Sequence, residues 1–186
     1  MTEMEWVKLM AERIAPTVSD HTPSLEVRPG LKLPYGYEIM AYGAAPTAQR
    51  IEFQTDLAII ERENVHLWKP RVVIEAKIAS ITTHDAITYS QKAAAHKAVH
   101  PYLRYGIILG DRKHYPLPGR LYRHGVQFDF MMSFCHFEPS AQELRTFTDL
   151  LRVEVTASQT LEKILYDSWR RARDHYTVLH RRLELQ

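Results

Sequence analysis

The sequence has a single cysteine, Cys135, which excludes an internal disulfide and a cysteine-built zinc site. A reducing compartment, the cytoplasm, is therefore the expected location. No run approaches the ~20 apolar residues that a membrane span needs, so a membrane is not an expected partner. The opening Met1-Thr2-Glu3-Met4-Glu5-Trp6 is acidic and leads into no apolar stretch, unlike a signal peptide. A dominant charge is lacking too. Lys plus Arg is 24 and Asp plus Glu is 22, a net charge of +2. That excludes a chain that coats nucleic acid by basicity alone, but not an enzyme that takes nucleic acid into a groove, where local patches decide. There is no internal repeat and no low-complexity tract. What remains is 186 residues, 45% hydrophobic and 25% charged, the mix of a globular chain of one domain.

Hydrophobic periodicity predicts a first helix from about Glu3 to Ile14, with Met4, Val7, Ala11 and Ile14 on one face and Pro16 ending it. Short strands are expected around Leu25–Val27 and Leu31–Leu33. Three more are expected, a short one at Tyr37–Tyr42 closed by Gly43, a long one at Ile51–Glu61 and one at Arg71–Ile78, joined by turn residues and so antiparallel. His84–His100 is alanine-rich and helical, capped by Thr82 or Thr83, with Asp85 in its first turn. Tyr105–Leu109 is a fully apolar run bounded by Gly110. It reads as a buried strand, parallel to an earlier one through the helical crossover. Val126–Phe134 reads as a strand, and Pro139–Leu151 and Thr160–Leu183 as helices. The order is helix, three strands, helix, strand and then additions, an α/β sandwich.

The residues that carry chemistry are Asp56, Glu75 and Lys77. Strand alternation puts Glu75 and Lys77 on one face of Arg71–Ile78, with Ala76 on the other. The run Val72-Val73-Ile74 leads straight into them, so charge sits at the margin of a core, where it needs partners. If the two strands are neighbours, Asp56 approaches Glu75. Two carboxylates in contact repel unless a cation lies between them. A hard, oxygen-liganded divalent ion such as Mg2+ suits that place, with the Ala76 carbonyl as a further ligand. Lys77 would stand by the attacking water or stabilise charge on a phosphate. The alternative reading is an ordinary salt-bridge cluster at a strand end.

Thr55-Asp56 followed by Glu75-Ala76-Lys77, on this order of elements, resembles the PD-(D/E)xK nuclease superfamily. The resemblance implies a restriction-endonuclease-like αβββαβ core, a mixed sheet flanked by helices with a C-terminal helical extension. It covers about residues 1–110, and 111–186 would serve DNA contact, core completion or dimerisation. It implies metal-dependent DNA cleavage with Asp56 and Glu75 as ligands of Mg2+ (Mn2+ as a substitute) and Lys77 at the water. Thr55 stands where the family usually has proline. In many members the helix after the lysine presents a glutamine or lysine to the site, and Gln91 and Lys92 are placed for that. Some members add a glutamate from the first helix, for which Glu5 and Glu12 are candidates. Ala95 stands where some exonuclease-type members have tyrosine.

A second acid-x-Lys triplet, Asp111-Arg112-Lys113, follows a glycine and lacks a strand-borne aspartate before it, so it reads as a decoy or a loop contact. Arg112, Lys113, Arg120 and Arg123 form a basic segment able to enter a DNA groove, or a plain surface loop. Arg170, Arg171 and Arg173 on the last helix are candidates for phosphate contact, against a solvated face. That helix could also form a dimer seam. His96 and His100 have a metal-ligand spacing but read as a solvated helix face. Cys135, between Phe134 and His136, reads as an inert, half-buried thiol. The expected function is a Mg2+-dependent endonuclease of type II-like restriction character on double-stranded DNA, acting as a homodimer. Its rivals are a structure-selective repair or recombination nuclease and a non-cleaving DNA-binding protein.

Overall fold

A computed structural model describes residues 1–112 and 117–167. In chain order its elements are α1 (Glu3–His21), β1 (Leu25–Pro29), β2 (Lys32–Ala41), β3 (Thr47–Gln54), β4 (Leu57–Arg62), β5 (Trp68–Ile78), α2 (Thr83–Val99), β6 (Arg104–Gly110), α3 (Gly119–His124), β7 (Phe130–Ser133) and α4 (Ala141–Tyr166). The fold is mixed α/β.

β4, β5 and β6 are apolar on both faces, the pattern of strands covered on two sides. They form the middle of a five-stranded sheet of order β1-β4-β5-β6-β7. β1, β4 and β5 run antiparallel, and β5, β6 and β7 run parallel, with α2 as the crossover from β5 to β6. Leu57, Ile59, Val72, Ile74, Ala76 and Ile108 face Trp6, Met10 and Ile14 of α1 and Phe147, Leu151 and Val155 of α4. Ala58, Val73, Tyr105, Ile107 and Leu109 face Ala86 and Ala93 of α2, Leu121 of α3 and Phe128. From Val72 to Ala76 the even residues of β5 thus look to α1 and α4, and Val73 and Glu75 to α2. Among the described residues no helix is long and apolar enough to cross a membrane.

β2 and β3 form a separate two-stranded ribbon. At its base Tyr35 stacks on Phe53, 3.7 Å between ring centroids, and His96 of α2 meets both rings edge-on. Tyr37, Ile39, Met40 and Tyr42 further out are exposed.

Several elements differ from the sequence reading. Pro16 does not end α1, which continues to His21. Pro16 and Glu12, whose carbonyl loses its donor, both lie on the exposed side, where water can take that carbonyl. Ile51–Glu61 is two strands in different sheets, broken at Thr55-Asp56. Leu31–Leu33 and Tyr37–Tyr42 belong to the one strand β2, irregular between Pro34 and Gly36. Only Phe130–Ser133 of Val126–Phe134 is strand. The helices expected at Pro139–Leu151 and from Thr160 are the single helix α4, buried through its middle by Glu154, Val155 and Ser158. The part of the last predicted helix beyond residue 167 lies outside the described residues.

Candidate active site

The antiparallel register pairs Leu57 with Ile74, which brings Asp56 beside Glu75. Asp56 does not continue the ladder by its backbone. Its carboxylate Oδ2 accepts from the Ala76 N–H at 2.8 Å, the amide between Glu75 and Lys77. The break between β3 and β4 is held from the opposite side. Thr55 donates its N–H and its Oγ1 to the Leu31 carbonyl, both at 2.9 Å, and Gly30 N–H donates to the Asp56 carbonyl at 3.0 Å. Gly30 has φ 65°, a conformation that glycine adopts without strain, and so lets the β1–β2 turn reach Asp56.

Glu75 is 1% exposed. Its Oε1 accepts from the Tyr105 hydroxyl and pairs with Lys92 Nζ at 2.9 Å. Lys92 Nζ also lies over the rings of Tyr89 (5.2 Å) and Phe53 (5.7 Å). Burial raises the Glu75 carboxyl to about 7, with the Asp56 charge adding to the rise and Lys92 opposing it. Burial likewise raises the Tyr105 phenol, and the Glu75 charge adds to that, so Tyr105 stays a donor.

Lys77 Nζ donates to Glu3 Oε1 at 3.0 Å and stands 5.2 Å from the Tyr89 ring centroid. Against the desolvation that disfavours its charge, contacts with Tyr89 and Glu3 hold this ammonium above its ordinary pKa. Lys77 is therefore a fixed positive charge at neutral pH.

The structure brings together Asp56, Glu75, Ala76, Lys77 and Lys92. It does not bring Gln91, which is exposed about 100° round α2 from Lys92. The first-helix glutamate at the site is Glu3, not Glu5 or Glu12. Glu5 is spent on the capping box, accepting from Thr2 N–H at 2.7 Å, and Glu12 is exposed. Glu3 lies three, four and seven residues before Trp6, Val7 and Met10, the buried face of α1. A helical phase set on Trp6 and Met10, rather than on the exposed Met4, points to it. Tyr89 and Tyr105 were also missed, and sequence held no signal for them beyond their places on α2 and β6.

The basic segment serves the backbone in part. Arg112 Nη1 donates to the Ala79 carbonyl at 2.8 Å and Arg120 Nη1 to the Ile81 carbonyl at 2.9 Å, so both brace the loop between β5 and α2. Arg123 is exposed. Lys113, Arg170, Arg171 and Arg173 lie outside the described residues. His96 is fully buried rather than solvated. Its Nδ1 is 3.0 Å from the Pro34 carbonyl, which makes Nδ1 the protonated nitrogen, and burial lowers its pKa to about 4.

The oxygens at hand are those of Asp56, Glu75 and the Ala76 carbonyl, hard donors suited to a magnesium-like cation rather than to zinc. Among the described residues no group of three or more His, Cys, Asp or Glu is placed to hold a metal ion. The donor set thus fits an ion bound by one or two carboxylates with water or phosphate oxygens for the rest, which is how magnesium is usually held. No protein-family model matches the chain, and no curated protein matches it.

Proposed function

We propose that this protein is a Mg2+-dependent deoxyribonuclease with a restriction-endonuclease-like core, cutting double-stranded DNA internally as a type II-like restriction endonuclease does. The observation that carries the reading is the Asp56 carboxylate on the Ala76 amide, which fastens one acid between the other acid and the lysine. The order of elements supports it. With the ribbon β2–β3 set aside, the chain runs α1, β1, β4, β5, α2, β6: helix, three strands, helix, strand.

Asp56, Glu75 and the Ala76 carbonyl would hold the cation. When bound, the ion neutralises charge on the phosphate and eases ionisation of water. Lys77, kept protonated by Glu3 and Tyr89, stabilises the developing negative charge and orients the water; it does not take the proton. Water attacks the phosphorus in line and gives up its proton to solvent, the bond to the 3′-oxygen breaks, and that oxygen takes a proton from solvent to leave as a hydroxyl. Tyr105 fixes one oxygen of Glu75. Cutting both strands of a twofold site calls for two copies, hence a homodimer.

One observation favours a second reading, a structure-selective repair or recombination nuclease. Much of the chain after Gly110 goes into β7 and α4 and is therefore not free to read bases.

The test is incubation with Mg2+ and plasmid, single-stranded and branched DNA, for the natural protein, Lys77→Ala and Asp56→Asn. Each variant is expected to lose roughly 100-fold or more of the cleavage rate. Discrete fragments from plasmid support restriction, and cleavage of branched DNA alone supports the second reading. Failure to cut any of the three leaves a non-cleaving DNA-binding protein.

A further inference from the structure

A buried carboxylate beside a second one is stable only with positive charge at hand. Glu75 is in that position, and the charge that answers it is Lys92, 2.9 Å away on α2. Lys77, the nearer lysine in sequence, is held by Glu3. Lys92 makes no other ion pair among the described residues. Its remaining neighbours are the Gln54 carbonyl at 3.5 Å and the faces of Phe53 and Tyr89. Aromatic faces steady an ammonium but do not bind it as a carboxylate does. Lys92 is thus tied mainly to Glu75 and anchored weakly elsewhere.

We propose that Lys92 is a built-in stand-in for the divalent cation, neutralising the Asp56–Glu75 pair in the cation-free protein and yielding Glu75 when a cation binds. This rests on the cation-site reading above and adds to it a competition inside the chain. An ammonium on a carboxylate lowers that oxygen's attraction for a second cation. The site would then bind divalent ions more weakly than its donors alone allow. The displaced ammonium stays beside the site, on the aromatic faces.

The experiment is Mn2+ binding, read by the electron paramagnetic resonance signal of free Mn2+, for the natural protein, Lys92→Met, Lys92→Arg and Asp56→Asn. Lys92→Met should bind roughly tenfold or more tightly than the natural protein. Lys92→Arg, which keeps the charge, should not bind more tightly, and Asp56→Asn should lose binding. Lys92→Met also strips a buried acid of its partner, so its melting temperature should rise more steeply with Mn2+ than that of the natural protein. If it is unfolded without cation, Mn2+ should fold it. Equal or weaker binding by Lys92→Met, or a melting temperature indifferent to Mn2+, with natural binding still abolished by Asp56→Asn, overturns the stand-in role and leaves the cation site standing. No Mn2+ bound by the natural protein or by Lys92→Met at millimolar concentration removes the cation site itself.

Discussion

Glu75 is the residue whose protonation its surroundings alter most consequentially. Its carboxyl rises from an ordinary 4.5 to about 7, chiefly by burial. In the unfolded chain it titrates near the ordinary value, so between about pH 4.5 and 7 the folded protein holds more protons. The contribution of Glu75 to stability is therefore greatest below that window and declines as pH rises through it. Glu75→Gln keeps the shape and removes the titration. Urea unfolding without divalent ions at pH 4.5 and 7.5 should show the natural protein losing about 1–3 kcal/mol relative to the variant across the interval. Parallel dependence in the two proteins would show that Glu75 does not titrate there. At this scale the sequence was legible where alternation is strict. Glu75 and Lys77 share a face because a strand has period two, and the apolar run before them marks the core's edge. Glu3 was not legible once the face of α1 was phased on Met4, and only the rotation of α2 separates Lys92 from Gln91.

Helix α2 carries Lys92 and Tyr89, so its start matters to the site. Thr82 Oγ1 accepts from the Asp85 N–H at 3.0 Å and the Asp85 carboxylate accepts from the Thr82 N–H at 2.8 Å, a reciprocal cap. Thr82→Ala should cost about 1 kcal/mol, read as a fall of about 2–4 °C in melting temperature. An unchanged melting temperature would mean that the cap adds nothing beyond the packing of Ala86 and Ala93. The cap was legible because threonine and aspartate at this spacing act through local backbone groups. The break at Thr55-Asp56 was not. Ile51–Glu61 contains no glycine or proline, and a lone Asp56 is too weak a breaker to mark a strand end. The break comes from Gly30 and Leu31, distant in sequence, which take the backbone groups of residues 55 and 56 away from the ladder. The continuity of α4 escaped for the same reason: Arg152–Gln159 has weak helical character by itself, and its Glu154 is held by Arg104 of β6.

At the scale of the whole molecule, β7 and α4 belong to the core rather than to an appendage. β7 closes the edge of β6, and Phe130, Phe134, Phe147, Leu151 and Val155 are buried against α1 and the central strands. Burying each such side chain stabilises by about 1.5–3 kcal/mol. Five together amount to roughly 10 kcal/mol, comparable with the whole stability of an ordinary domain. Their loss would also strand charge. Asp129 pairs with Lys97 at 2.8 Å and accepts from the Tyr105 N–H at 2.8 Å, and Glu154 pairs with Arg104. Tyr105 ties this region to the candidate site, since its amide is held by Asp129 and its hydroxyl holds Glu75. A fragment ending at Gly110 keeps Asp56, Glu75 and Lys77 but exposes the apolar face that α4 covers and leaves Tyr105 without Asp129. It is expected to lack a cooperative urea transition and a dispersed amide NMR spectrum, and to cut no DNA. A dispersed spectrum from residues 1–110 alone would mean that the helix and four strands before Gly110 that flank the site, with α2 across them, make a sufficient core without α4.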